Sequence, residues 1–395
     1  MTDLNPEPGT ESESEPKSKF HAFNTSDVAY KVVDGHEVEA TVCVPKDARP
    51  GARLPVMVRF HGGALVNGGT WTTTLASSHS AIFITSDYRL LPSATGTEIL
   101  ADIADFWTWL HSPEGLNAYL AGRGKEGAGK DVEGGMQGAV ADLTNVLVTG
   151  ESAGGWCAVQ SVLVPALQRQ TLGQGGERHL YSYPPPRAVI AHYPMLDMAS
   201  LSGYTWADPS SHLDARVLST AEANGLLDAV LEVERGKVVT ERIPEGGEDW
   251  FMAMVQTGRY GEVLGKEEEL YPLVTLDRLA ESRGEGKGEG DVRVGAEREE
   301  AAGVEGKGRG AGEGEETGGE MSRGSERESW MVPIWDPVIP ARGTEIFVAK
   351  VRQLFPAWPL HVHYEAGAAH GFDGEATHET PWVKEGVAWI EKYWP

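Results

Sequence analysis

A serine between glycines sits near the middle of the chain, at Gly150-Glu151-Ser152-Ala153-Gly154-Gly155. A bare G-x-S-x-G run also arises by chance as an ordinary tight turn. Here the apolar stretch NVLVT at 145–149 precedes it and a helical run follows. That setting suits a nucleophile. On a sharp strand-to-helix turn the hydroxyl stands clear, glycines let neighbouring backbone approach, and the helix start favours developing negative charge. A second run, His61-Gly62-Gly63-Ala64, follows the stretch PVMVRF about 90 residues before the serine. Attack of a hydroxyl on a carbonyl creates an oxyanion that needs preorganised N–H donors, and backbone donors can reach it only where side chains are absent. Gly62 and Gly63 supply such a loop, and the N–H of Ala153 would complete the hole. Loss of one comparable donor costs about 3–4 kcal/mol of transition-state stabilisation. Together the two runs predict acyl transfer.

These residues need elements to carry them. Short, unbroken apolar stretches predict strands at Glu37–Val44, Leu54–Phe60, Ala81–Asp87, Val146–Gly150, Ala188–Tyr193 and Leu360–Tyr364, as expected of strands buried on both faces. Amphipathic helices fit Glu98–Leu110, Ala153–Leu167, Glu345–Leu354 and Pro381–Tyr393. The first of these gathers Ile99, Ile103, Phe106, Trp107 and Leu110 near one face. Such alternation predicts an α/β chain with a mostly parallel central sheet and helices on both faces.

The core is read as 20–199 and 330–395. Between these parts, residues 200–281 are helical in character and rich in aromatics, which predicts an inserted cap or lid; plain helix packing is the other reading. Residues 1–19 form an acidic tail expected to be disordered. Residues 282–329 hold 14 glycines, 13 acidic and 8 basic residues, with only Val292, Val294, Val304 and Met321 as large apolar ones. They cannot bury enough surface to offset chain entropy, so they read as a disordered insert or as a gene-model artefact such as a retained intron. Residues 122–138 form a shorter loop of the same kind.

Composition narrows the function classes. A formal charge of −25 disfavours nucleic acids and anionic lipid surfaces. No apolar run reaches 18 residues, so no membrane span is expected, and the polar start does not look like a secretion signal. Two cysteines, Cys43 and Cys157, suit a reducing compartment and predict a cytoplasmic protein without disulfides. The run Gly124–Lys130 resembles a phosphate-binding loop, but Asp131 stands where serine or threonine belongs and no buried strand precedes it. No Cys/His spacing suggests zinc, so neither metal nor other cofactor is expected.

The chain resembles the hormone-sensitive-lipase-like, or fold-3, branch of the α/β-hydrolase superfamily in a fungal-type version. The resemblance lies in HGGA at 61–64, Asp87-Tyr88-Arg89-Leu90-Leu91-Pro92 after a strand, GESAGG at 150–155 and His370-Gly371-Phe372 near the end. It covers most of 54–200 and 336–395. The family implies an α/β-hydrolase fold with a helical cap and a Ser-Asp-His triad in that chain order. His370 follows a strand and precedes the last helix, where the family carries its base, and is chosen from twelve histidines. His192, His361 and His363 lie in strands and read as structural. The family's acid pattern falls on Asp336-Pro337-Val338-Ile339-Pro340, 34 residues before His370. The preceding MVPIW is short and contains Pro333, which removes a ladder hydrogen bond, so this strand is expected to be shortened or misplaced. Asp197 is the fallback acid and otherwise a loop residue. A triad without its acid loses about 10⁴ in turnover.

The catalytic set is therefore Ser152, His370 and Asp336, with Gly62, Gly63 and Ala153 as oxyanion donors and a small-molecule ester as substrate. Two rivals are arylformamide or amide hydrolysis on the same triad, and a non-catalytic relative that binds a small ligand in the old pocket. Sequence leaves the oligomeric state open.

Overall fold

Neighbouring residues on the central strands enter different apolar cores. In β3 (Arg53–Phe60), Val56, Val58 and Phe60 face one core and Met57 the other. The same alternation recurs at Ile82, Phe83 and Ile84, at Val146, Leu147 and Val148, and at Val189, Ile190 and Ala191. A strand exposes its two faces with a period of two, so apolar residues at every position require cover on both sides.

The computed structural model describes residues 20–62, 70–122, 138–172, 183–199, 218–240, 247–282, 330–334, 341–365 and 370–394. Two of the sequence-derived site residues, Gly63 and Asp336, lie outside the described residues. So do the tail 1–19, the Gly124–Lys130 loop and most of the 282–329 insert.

The strands in chain order are β1 (Phe23–Val33), β2 (His36–Pro45), β3, β4 (Ile82–Ser86), β5 (Val140–Glu151), β6 (Ala188–His192), β7 (Trp330–Ile334) and β8 (Leu360–Tyr364). They form one sheet in the order β1-β2-β4-β3-β5-β6-β7-β8. β1, β2 and β4 pair antiparallel; every pair from β4 through β3 to β8 is parallel. The fold class expected from sequence is the one observed.

One face is covered by α1 (Thr70–Ser78) and α10 (Pro381–Ile390), through Leu75, Ala76, Trp382, Val383 and Ile390. The other carries α2 (Gly96–His111), α3 (Leu116–Leu120), α4 (Ala153–Leu172) and α9 (Ala341–Leu354). The predicted stripe of α2 is buried from Ile99 to Leu110, and Trp107 Nε1 donates to Ser161 Oγ on α4 at 2.9 Å. A capping box at Thr95 and Glu98 starts α2; such a cap stabilises by roughly 1 kcal/mol.

Within 200–281 the described helices are α5 (Thr220–Glu234), α6 (Gly247–Gln256), α7 (Tyr260–Leu264) and α8 (Pro272–Ser282). Their buried residues, such as Leu227, Met252, Val263 and Leu276, join the core of α2 and α4. α8 lies against both α4 and α9.

β1 was not anticipated. It is an edge strand paired only with β2, and a half-exposed sequence such as FNTSDVAYKVV carries a diluted apolar signal. β7 is short, as expected, yet sits between two neighbours. Its pairing to β6 ends at Met331, while its pairing to β8 continues past Pro333 to Ile334. The proline thus falls where the β6 ladder has already stopped, which is where a missing N–H costs least.

Candidate active site

Ser152 stands between the last residue of β5 and the first of α4. Its φ is 55°, a left-handed value that L-residues with a Cβ rarely adopt. Three backbone contacts hold it there. The Ser152 N–H donates to the carbonyl of His192 at 2.9 Å, and the Ser152 carbonyl accepts from Trp156 N–H at 3.2 Å and Met195 N–H at 3.3 Å. Gly154 is forced by crowding: a Cβ there would sit 2.1 Å from the Phe60 carbonyl oxygen. The turn can form only where β3 and α4 nearly touch.

That crowding brings the second glycine run to the serine. A Cβ on Gly62 would lie 3.1 Å from the Glu151 carbonyl oxygen and 3.6 Å from Ser152 Cβ. Gly62 and Ala153 therefore flank the serine. The loop's orientation is set by Tyr88, whose hydroxyl donates to the His61 carbonyl at 2.7 Å and whose ring stacks on His61 at 4.5 Å. His61 Nδ1 lies 2.9 Å from the Gly62 carbonyl. A carbonyl can only accept, so Nδ1 carries the proton. Burial, with a smaller push from Arg59, lowers His61 from its usual value to about 4. The next residue of the Asp-Tyr-Arg run, Arg89, is pinned by Asp102 and Glu98 on α2, so the run is anchored behind the loop it steers.

His370 is half-buried just before a 3-10 turn at Phe372–Glu375. Its ring lies 4.7 Å from that of Tyr193, the residue after β6. Ser152 is bonded to His192 and His370 packs on Tyr193, so both gather at one end of β6. The Cβ of Asp197 lies 2.9 Å from where a Cβ on Gly343 of α9 would stand. The strand histidines differ in surroundings. His363 lies 2.9 Å from Glu365 and stacks on Trp382, and His361 sits by Trp389.

Two polar pairings at this end of the sheet are not legible as pairs in the sequence. Arg59, at the end of β3, is ion-paired with Glu151, the residue preceding Ser152. Burial pulls the Arg59 guanidinium below its usual value. Asp373 accepts from Tyr193 Oη at 2.8 Å and lies 3.1 Å from His192 Nδ1. Burial alone would raise its pKa; the bonds from His192 and Tyr193 outweigh that and hold it below the usual carboxylate range. A possible signal for the first pair was an acid inside the G-x-S-x-G run beside a charge in an otherwise apolar strand. The second left no comparable trace.

Among the described residues no group of three potential metal ligands occurs, and no helix is long and apolar enough to cross a membrane. A serine on a left-handed turn, Gly62 against it and an imidazole at the same end of β6 are parts that acyl transfer uses.

Comparison with known proteins agrees with this geometry. A family described as the alpha/beta hydrolase fold matches residues 57–249, the span that carries both glycine runs. A probable carboxylesterase, M8, of Phoma sp. is 25% identical over 95% of this chain and 98% of its own, so the likeness is end to end. A second probable carboxylesterase, clz11 of Cochliobolus lunatus, is 27% identical over 49% of this chain and 76% of its own. The solved carboxyl esterase 2 of Tuber melanosporum aligns over 97% of this chain and 88% of its own, at 18% identity and a TM-score of 0.48, too loosely to compare sites.

Proposed function

Because the chain belongs to the α/β-hydrolase fold family, on its fold-3 branch, we propose that it hydrolyses small-molecule carboxylic esters through an acyl-enzyme on Ser152. The observation that carries the reading is the left-handed Ser152 turn with Gly62 packed against its Cβ. The relatives named carboxylesterases favour an ester over an amide, and also favour an enzyme over a ligand-binding relic.

In this reading Ser152 Oγ attacks the carbonyl carbon as its proton passes to the His370 ring. The oxyanion is held by N–H groups of Gly62, Gly63 and Ala153 at the start of α4. The C–O bond to the alcohol then breaks, and His370 returns the proton to the leaving oxygen. Water, giving a proton to His370, attacks the acyl-serine; the bond to Ser152 Oγ breaks, His370 returns the proton to Oγ, and the acid leaves. Asp336, just past β7, takes the part of the acid that orients His370; the strand pairing on both sides of β7 supports that assignment.

Residues 200–281 act as the cap over this site. In support, Trp156 Nε1, four residues past the nucleophile, donates to the Leu270 carbonyl at 3.0 Å. Cys43 and Cys157 are both free and buried, which supports a reducing, cytoplasmic setting.

The test compares native protein with Ser152→Ala. Native protein should turn over p-nitrophenyl esters and label with a fluorophosphonate, and the variant should do neither. Full labelling of the variant would rule out Ser152 as nucleophile.

A further inference from the structure

We propose that Asp373 is a positioning residue for His370, acting through Tyr193 and His192. The proposal rests on the hydrolase reading above, because it assigns His370 a task that depends on its placement.

Asp373 is 2% exposed and lies three residues after His370. Its two oxygens face consecutive residues at the end of β6: Tyr193 Oη at 2.8 Å and His192 Nδ1 at 3.1 Å. The same Tyr193 sets its ring 4.7 Å from that of His370 and 6.0 Å from that of Phe372. Its backbone is left-handed, with φ of 35°. A non-glycine residue keeps such a conformation only where its surroundings fix it. The hydroxyl–carboxylate bond and the packed His370 ring are such surroundings.

The backbone of His192 meanwhile accepts the amide of Ser152 at 2.9 Å. Residues 192 and 193 thus grip both halves of the site. Their main chain holds the serine turn, and their side chains hold the carboxylate that anchors the His370 segment. A carboxylate buried this deeply is stable only when paired, and pairing here fixes the segment in place. A shift of 1 Å between reacting groups costs roughly a hundredfold in rate, so an anchor three residues from the base governs turnover without touching substrate.

The test uses the full chain carrying Asp373→Asn, Tyr193→Phe or both. Steady-state kinetics on p-nitrophenyl butyrate are paired with the ring ¹H–¹³C resonance of His370, assigned with His370→Gln. For Asp373→Asn, kcat should fall about 10- to 100-fold with KM held within about twofold, and the His370 resonance should shift or broaden. Tyr193→Phe should fall in the same direction by less. The double variant should be no worse than the stronger single, as for members of one network.

Unchanged kcat in both folded variants with an unmoved His370 resonance would overturn the proposal. So would a rise in KM alone, which would place Asp373 in substrate binding. If Asp373→Asn does not fold, Tyr193→Phe decides, since it deletes one hydroxyl and keeps the ring. If native protein neither turns over esters nor labels, the ester reading fails, and the His370 resonance still decides whether Asp373 positions that ring.

Discussion

The amide of Ser152 donates to the carbonyl of His192 over 2.9 Å, so the serine turn hangs on the neighbouring strand as well as on its own helix. Phe60 at the end of β3 presses the same turn through Gly154. The site therefore lies at the carboxyl ends of β3, β5 and β6, the edge where open parallel sheets bind ligands. Its precision comes from three strands that are parallel and in register there.

The strain at Ser152 can be measured. A left-handed backbone at a residue with a Cβ costs on the order of 1–2 kcal/mol, which glycine avoids. Ser152→Gly and Ser152→Ala should both be inactive, with the glycine variant more stable by about 1 kcal/mol in urea unfolding. Equal stabilities would mean that the turn stores no strain.

The Arg59–Glu151 pair adjoins Ser152 and is largely buried, with side-chain exposures of 13% and 10%. Removing one partner strands the other charge at a cost of about 3–5 kcal/mol. Glu151→Ala should lose that much stability, whereas Arg59→Met with Glu151→Leu should recover most of it. A loss below about 1 kcal/mol for Glu151→Ala would show that water reaches Arg59.

His61 gives a pH dependence of defined sign. In the unfolded chain it binds a proton near pH 6.5, but in the folded chain only near pH 4. Between those values the unfolded state holds more protons, so stability drains as pH falls through the window, by about 3 kcal/mol in all. His111 and His361 are also lowered by burial and add to the fall. Unfolding free energies from pH 7 to 4 should show the slope, and His61→Asn should flatten it. An unchanged slope in that variant would assign the effect to the other histidines.

Local pattern made much of the fold and part of the site legible from sequence alone. Unbroken apolar runs in β3, β5 and β6, a 3.6-residue stripe in α2, and glycines around one serine are each written within about a dozen consecutive residues, because backbone geometry repeats over that span. These features gave the parallel sheet, the serine turn and the Gly62 loop; the likeness to a known family added His370. Tertiary structure alone decided the polar supports. Tyr193 and Asp373 are 180 positions apart, and Arg59 and Glu151 are 92 apart. Nothing near Tyr193 or Asp373 in sequence distinguishes a buried partner from a solvated group, and the charge in the apolar β3 run does not name its partner. Their pairing exists only because β3, β5 and β6 lie side by side and the chain returns after β8 to the same end of the sheet, where burial makes an unpaired charge too costly to keep.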